Sequence, residues 1–292
     1  MNTICIRYCI ALCYLTFTSL SSSAQTDHTD KARSIFGFIS EENVLHLSIK
    51  TDINKLFEIQ KNDDTQKAEL TFSDLDEDYK NWDIKNNVRG KFRRRHYDFP
   101  PLRIKFKKSH LKDRHLEPYT SLKLVTHCTD KAASNELLLK EHLVYKLYNI
   151  ITEQSFRAQL MKIDWIDKRH THNLGSQWGF LIEDKDELED RLQLNKYEEN
   201  GALSSQLNAE NAAICYLFQY MIGNHDWIFV NGQNMHYMRI QGSEELVAVA
   251  SDFDFSVLVE AFYSTSAYPL PQNNKRAYMG HFNKRQNLSC CG

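Results

Sequence analysis

Short runs in which apolar and polar residues alternate dominate the first half of the chain. In 45–49 leucine and isoleucine are separated by polar residues, and the same alternation recurs in 102–107 and in the shorter run 122–125. Apolar residues at every second position place one face of a strand against a core and the other towards solvent. The pattern therefore predicts mostly strands from about residue 35 to residue 123.

Two later stretches follow the helical period instead. The stretch 132–152 contains neither glycine nor proline and follows Asp130, a residue type that caps helix N-termini. In 209–222 apolar residues recur three and four positions apart, and Gly223 stands where a C-cap glycine is expected. Shorter elements are expected around these helices, namely strands at 159–165 and 178–182 and a hairpin at 227–249.

This order of elements predicts an α+β chain with two lobes and a cleft between them. We expect a strand-rich lobe at 34–182. The remainder, 183–292, is expected to form a helical lobe that carries polar loops.

The first residues have the three parts of a secretory signal. Arg7 gives a weakly positive start, 10–20 is mostly apolar, and small residues end at Ala24, where cleavage is expected. The apolar run is about 10 residues long, whereas a membrane-spanning helix needs about 20, so a membrane anchor is the less favoured alternative. We therefore predict a signal peptide at 1–24, a disordered linker at 25–33, and an exported protein, periplasmic or extracellular, with no stable membrane span.

Charge and composition narrow the class of protein. The chain has 36 Lys and Arg against 38 Asp and Glu, a balance that argues against a nucleic-acid-binding protein. Its 12 histidines and 7 cysteines include no His-x-x-x-His pattern and no Cys-x-x-Cys pair, so the common zinc sites are not indicated. The sequence also lacks the Gly-x-Ser-x-Gly elbow of serine hydrolases.

Acidic and amide residues gather in two loops of the second half. Asp226 comes just after the predicted helix, Asn231 and Asn234 follow it, and Asp252 and Asp254 come after a short apolar run. Oxygen ligands of this kind suit Mg²⁺ or Mn²⁺, and a carboxylate that is free of metal can orient or deprotonate a hydroxyl. These are the groups that phosphoryl transfer requires, although Asp and Asn are also common in ordinary loops.

Basic residues of the first half complete this picture. Arg89 belongs to a basic turn at 88–95, and Lys105 lies on the strand that follows it. Both could hold phosphate groups, although a solvated hairpin and an exposed lysine are the simpler alternatives. Glu141 lies among apolar residues of the predicted helix and needs a partner if it is buried, for which we favour Lys105; an exposed position at the edge of that helix face is the alternative.

These segments occur in an order that resembles the CotH-like (spore-coat-type) kinases, an atypical branch of the protein-kinase family, and in particular their exported bacterial relatives. The resemblance covers about residues 80–260, and each segment alone is a weak signal. The segments are, in chain order, Val88-Arg89-Gly90, Phe99-Pro100-Pro101-Leu102-Arg103-Ile104-Lys105-Phe106, Leu122-Lys123-Leu124-Val125, the helix with Glu141, Trp178-Gly179-Phe180-Leu181-Ile182-Glu183, Gly223-Asn224-His225-Asp226-Trp227 with Asn234, and Asp252-Phe253-Asp254.

The resemblance implies a two-lobed protein-kinase-like fold, with a shortened C-terminal lobe as one option. It implies a kinase that transfers the γ-phosphate of ATP, held by Mg²⁺ or Mn²⁺, to a Ser or Thr hydroxyl of a protein in the envelope or outside the cell. Asp226 is then the catalytic base. Asn234 and Asp252 hold the metal. Asn231 is the alternative to Asn234, and Asp254 is the alternative to Asp252.

The resemblance also implies a nucleotide site. Lys105 would bind the α- and β-phosphates, Glu141 would hold Lys105 in place, and Arg89 would add positive charge. The segment with Leu181, Ile182 and Glu183 would meet the adenine through its backbone.

The chain departs from this pattern in two places. His225 stands where a small polar residue is expected, and the resemblance fades after about Tyr268. A catalytically inactive kinase-fold scaffold or surface-binding protein is therefore the main alternative, and an unrelated α+β binding protein is a third.

Overall fold

The computed structural model describes residues 33–40, 44–59, 64–73, 75–89, 99–127, 132–261 and 264. The predicted signal peptide, 1–24, and all but the last residue of the predicted linker, 25–33, lie outside this part of the chain. Within it, no helix is long and apolar enough to cross a membrane.

The described residues form both helices and strands. The α-helices are α1 (Ile35–Ile39), α2 (Ile53–Ile59), α3 (Glu77–Lys80), α4 (Lys108–Asp113), α5 (Ala132–Ile151), α6 (Lys185–Arg191) and α7 (Ala209–Ile222), with a 3-10 turn at Ser204–Gln206. The strands are β1 (Leu45–Thr51), β2 (Thr65–Phe72), β3 (Asn81–Val88), β4 (Leu102–Phe106), β5 (Ser121–Thr126), β6 (Ala158–Asp167), β7 (Ser176–Ile182), β8 (Leu194–Lys196), β9 (Met235–Ile240) and β10 (Leu246–Ala250).

The first seven strands close into a barrel in the order β1-β2-β3-β4-β5-β7-β6. Neighbouring strands are antiparallel, except that β1 runs parallel to β6. Every second side chain of these strands points inward, as the alternation in β1 and β4 requires. The interior of so small a barrel is filled by side chains, and Leu47, Leu102, Leu124 and Met161 are at most 1% exposed.

A second core lies on the outside of β5, β6 and β7. Val125, Ala158, Phe180 and Ile182 belong to it and not to the barrel interior. Helices α5, α6 and α7, the sheet of β8, β9 and β10 and the segments that join these elements supply the rest of this core. The barrel wall therefore has apolar side chains on both faces in this region, and polar groups between the wall and α5 are shielded from water.

The predicted two-lobed protein-kinase-like fold with a helical C-terminal lobe is wrong. The strands of the first part close into a seven-stranded mixed barrel, and the described residues after 182 include a three-stranded sheet, β10-β9-β8, beside α6 and α7. Alternation of apolar residues fixes which face of a strand is buried, but it does not say which strands are neighbours. The parallel closure of β1 onto β6 could therefore not be derived from the pattern.

Candidate functional site

Three carboxylates from two parts of the chain meet beside the second core. Glu141 lies in α5, whereas Asp252 and Asp254 follow the last residue of β10. One oxygen of each lies within 4.8 Å of the others, and Glu141 and Asp254 are only 3% and 2% exposed. Carboxylate oxygens gathered in this way are suitable ligands for a hard divalent cation such as Mg²⁺.

The segment that carries Asp252 and Asp254 is held on both sides. Between them, Phe253 is fully buried, with its ring centroid 4.8 Å from that of Tyr145. The Tyr145 hydroxyl accepts a hydrogen bond from the Asp252 backbone N–H at 3.0 Å. Asp252 has a φ of 62°, a left-handed conformation that is uncommon outside glycine and needs such support. The two carboxylates are therefore presented by a fixed turn.

The loop after α7 presents Asp226 in a similarly fixed way. Gly223 ends α7 with a φ of 66°, the left-handed C-cap conformation that glycine adopts without steric cost. The buried side chain of Asn224 then accepts a hydrogen bond from the Asp226 backbone N–H at 3.0 Å. The Trp227 indole N–H donates to the Asn224 backbone carbonyl at 3.0 Å. These bonds fix the backbone on either side of Asp226.

The Asp226 carboxylate is oriented by two side-chain amides. The Gln233 amide donates to its Oδ1. The Asn234 amide donates to Oδ2 at 2.9 Å and to the Asp226 backbone carbonyl at 2.6 Å. Burial raises the pKa of Asp226, the nearby charge of Asp252 raises it further, and the two amides act in the opposite direction. The carboxyl group is therefore better able to accept a proton than an exposed aspartate.

A half-buried lysine faces this acidic region from the barrel wall. Lys123 lies on the outer face of β5, and its Nζ is 5.1 Å from the ring centroid of Phe156. Burial lowers its pKa to about 7; Arg89 and Arg103 lower the pKa as well, while Asp252 is one of the acidic groups that oppose the shift. No hydrogen bond or ion pair joins its side chain to any residue that the structure describes. Lys123 is thus a half-buried amine, and an anionic ligand would favour its charged form.

His236 supports the same loop from β9. Its Nε2 lies 3.0 Å from the hydroxyl of Ser251, the residue before Asp252. Burial lowers the pKa of His236 well below its usual value, and the charge of Lys123 acts in the same direction. The imidazole serves here as a hydrogen-bonding partner of Ser251.

The structure places Lys105 away from Glu141. Lys105 is exposed on the outer face of β4, and among the described residues its side chain forms neither a hydrogen bond nor an ion pair. Glu141 is buried next to Asp252 and Asp254 instead. The predicted pair of Lys105 and Glu141 does not form, and Lys123 is the lysine that lies near this cluster.

The predicted adenine-binding segment serves mostly structural purposes. Leu181 is in the barrel interior and Ile182 is in the second core. Glu183 is fully buried, with ion pairs to Arg157 at 2.7 Å and Arg191 at 2.8 Å. Ile182 is also the cross-strand partner of Lys123, so this segment does lie next to the half-buried lysine.

The remaining predicted residues divide into those near the cluster and those outside it. Asn234 contacts Asp226 directly, whereas Asn231 is exposed and its side chain accepts a hydrogen bond from the Gln233 backbone N–H. Arg89 is half-buried, and its charge acts on both Lys123 and His236. The sequence left open whether Asp252 or Asp254 is the metal ligand, and both belong to the carboxylate cluster.

Sequence reasoning gave no role to Lys123, Arg103, Gln233 or His236. Lys123 carried a signal that could have been used, because it interrupts a run whose neighbours Leu122, Leu124 and Val125 are apolar on both faces of the strand. No comparable pattern marks Gln233 or His236, whose places depend on the conformation of the loops.

In comparisons with known proteins, no family model matches the chain and no curated protein shows significant similarity to it. The resemblance to CotH-like kinases therefore stays a prediction that rests on the quoted segments.

Proposed function

We propose that the protein is a metal-dependent phosphotransferase, which transfers the γ-phosphate of ATP to a Ser or Thr hydroxyl of a protein in the envelope or outside the cell. The observation that carries this proposal is the convergence of three elements. A carboxylate cluster fit for Mg²⁺ or Mn²⁺, an oriented aspartate and a half-buried lysine that forms no ion pair with a described residue lie around one region of the molecule.

The carboxylate cluster is the proposed metal site. Glu141, Asp252 and Asp254 each place one oxygen within 4.8 Å of the others, a spacing at which one divalent cation could take a ligand from each residue. A bound Mg²⁺ or Mn²⁺ would supply neutralisation of the charge that develops on the transferring phosphoryl group. Phe253 and Tyr145 contribute by holding two of the ligands in place before any ion binds.

Asp226 is the proposed base. In the transfer step the acceptor oxygen forms a bond to the γ-phosphorus, the bond from that phosphorus to the β–γ bridging oxygen breaks, and a nucleoside diphosphate leaves. The proton of the attacking hydroxyl passes to an oxygen of Asp226. Gln233 and Asn234 keep the carboxylate in one orientation, and its raised pKa favours proton acceptance.

Lys123 takes the phosphate-binding role that the sequence suggested for Lys105. An ammonium group that is already partly shielded from water loses less hydration on meeting a phosphate oxygen than an exposed one does. Lys105, being exposed, would gain less from the same contact.

The test measures phosphate release from Mg·ATP, with water in place of the unidentified acceptor, and phosphate incorporation into a mixture of envelope proteins. We expect Asp226→Asn to lower both rates by about 10²- to 10⁴-fold, the usual contribution of a general base. Asp164→Asn is the matched control, since Asp164 is exposed on β6, away from the cluster. Equal rates in Asp226→Asn and Asp164→Asn would remove Asp226 from the mechanism.

A non-catalytic scaffold or surface-binding protein is the second candidate. It is favoured by the fact that both oxygens of Asp226 already accept amide hydrogen bonds, which reduces their availability to a hydroxyl. Under that function, ATP would bind and stabilise the protein, but no phosphate would be released in excess of the Asp226→Asn background.

A further inference from the structure

We propose that Arg103 and Lys123 together form a binding site for an oligophosphate chain, so that the phosphate donor is recognised mainly through its phosphates. This inference rests on the proposed function, because it identifies the part of the donor that the same site recognises. It assigns to Arg103 a binding role that neither the motifs nor the carboxylate cluster require.

The register of the barrel places the two cations side by side. Arg103 on β4 and Lys123 on β5 are directly opposite each other in an antiparallel pair, so their side chains leave the same face of the wall. Side chains at such positions have Cβ atoms about 4.5–5.5 Å apart. Two adjacent cations at this spacing can contact neighbouring phosphates of one chain, whereas a single phosphate would use only part of the site.

Among the described residues, neither side chain forms a hydrogen bond or an ion pair, although the Lys123 ammonium lies over the ring of Phe156. The Nε of Arg103 is buried and has no hydrogen-bond partner, and Lys123 makes no ion pair within the described residues. A buried guanidinium N–H without an acceptor is costly, since its hydration is lost and not replaced. Adjacent like charges add to that cost. An anionic ligand would satisfy both groups together, which is the physical reason for inferring one.

The acidic groups near this pair already have other contacts. Asp184 is electrostatically close to both cations, but its carboxylate caps α6 by accepting a hydrogen bond from the Asp186 backbone N–H at 2.9 Å. Asp252 is near Lys123 and belongs to the carboxylate cluster. The arrangement thus places a cation pair next to a metal-binding cluster, as a chelated oligophosphate would require.

The experiment is isothermal titration of the purified protein with inorganic tripolyphosphate in the absence of divalent metal. This probe has the phosphate chain but lacks the nucleoside and cannot use the metal site. We expect Arg103→Met and Lys123→Met each to weaken binding by about tenfold or more, as loss of a charge-assisted contact does. Lys85→Met is the matched control, because Lys85 is exposed on the neighbouring strand β3. The affinity of this variant for tripolyphosphate should equal that of the unchanged protein.

Arg103→Lys is a second, more conservative variant, included in case Arg103→Met does not fold. It keeps the charge and most of the aliphatic stem but loses the planar guanidinium, so we expect an intermediate affinity. In the transfer assay, Arg103→Met should raise the KM for ATP much more than it lowers kcat, a split that a purely structural role would not produce.

The failure of this inference differs from failure of the proposed function. Absence of tripolyphosphate binding, or equal affinity of Arg103→Met, Arg103→Lys and the unchanged protein, would overturn the assignment of Arg103 even if phosphate transfer occurs. Binding that depends on Arg103, in a protein that releases no phosphate, would support the assignment and remove the proposed catalysis.

Discussion

The two faces of strands β4 and β5 bury very different chemistry. On the inner face, Leu102, Ile104, Leu122 and Leu124 are at most 1% exposed and fill the barrel with apolar side chains. On the outer face the same strands carry charged residues, of which Lys105 is exposed and Lys123 is half-buried. Burial of the apolar inner face stabilises the fold. On the outer face, partial burial of the Lys123 charge destabilises it.

This difference indicates where the molecule carries function. Apolar burial stabilises a fold in proportion to the area removed from water, and no special partner is needed. A buried lysine without an ion pair costs free energy, and a fold retains such a group at a functional site more often than elsewhere. The contrast within two adjacent strands is therefore a stronger argument for a site than the presence of acidic loops alone.

Truncation of the inner face should have the largest effect on stability. We expect Leu124→Ala to lower the free energy of unfolding by about 2–5 kcal/mol, because Leu124 is fully buried and the rigid barrel cannot close over the cavity. Denaturant unfolding followed by circular dichroism measures this change. A loss below about 0.5 kcal/mol, the range of ordinary surface substitutions, would mean that the barrel interior is not the stabilising core.

Removal of the half-buried charge should act in the opposite direction. With a pKa of about 7 in the folded protein, against 10.5 when unfolded, Lys123 is destabilising in full below about pH 7. The cost declines as the pH rises from about 7 to 10.5, because the unfolded chain then holds a proton that the folded one lacks. We expect Lys123→Met to raise the free energy of unfolding by about 1–4 kcal/mol at pH 6–7, at about 1.4 kcal/mol for each pKa unit.

Unfolding curves of Lys123→Met and the unchanged protein at pH 6 and pH 10 check this prediction. The gain should be largest at pH 6 and should shrink at pH 10. A variant that is less stable than the unchanged protein at pH 6 would show that Lys123 has a compensating partner, and the contrast between the two faces would then lose its main support.

Lys105 should show the smallest effect. Since its side chain is exposed and forms no hydrogen bond or ion pair with a described residue, we expect Lys105→Met to change the free energy of unfolding by less than about 0.5 kcal/mol. Phosphate release from Mg·ATP should change less than twofold. A large loss of activity in Lys105→Met, with normal activity in Lys123→Met, would restore the sequence-based assignment and exchange the roles of the two lysines.

Local elements were accessible from the sequence, but their assembly was not. The helix at 209–222 has the predicted bounds, and the helix predicted at 132–152 is observed as α5, because helical periodicity and the Gly223 cap are local signals. The strands at 45–49 and 102–107 are observed as well. Closure of the barrel by β1 and β6 depends on contacts more than 100 residues apart, for which the alternation carries no information.

The candidate site likewise contains residues that the sequence alone could identify and residues that depend on the assembled fold. Asp226, Asn234, Asp252 and Asp254 were recognisable because chemically distinctive residues stand in loops next to strong local signals. Which of Lys105 and Lys123 the fold shields could not be predicted, since both lie on strands and only the cover supplied by the second core distinguishes them. Burial of a charge is a property of the assembled fold, and a strand pattern alone cannot reveal it.

The most direct test of the account is a thermal melt of the purified protein with and without Mg·ATP, beside the double variant Asp252→Ala, Asp254→Ala. Ligand at 100 times its Kd adds about 2.7 kcal/mol of stability, so we predict a rise of several degrees in the melting temperature of the unchanged protein. The double variant should remain folded and should lose the rise, because it lacks two of the three carboxylates of the cluster. An unchanged melting temperature in a well-folded sample, or an equal rise in the double variant, would contradict a metal–nucleotide site at this cluster.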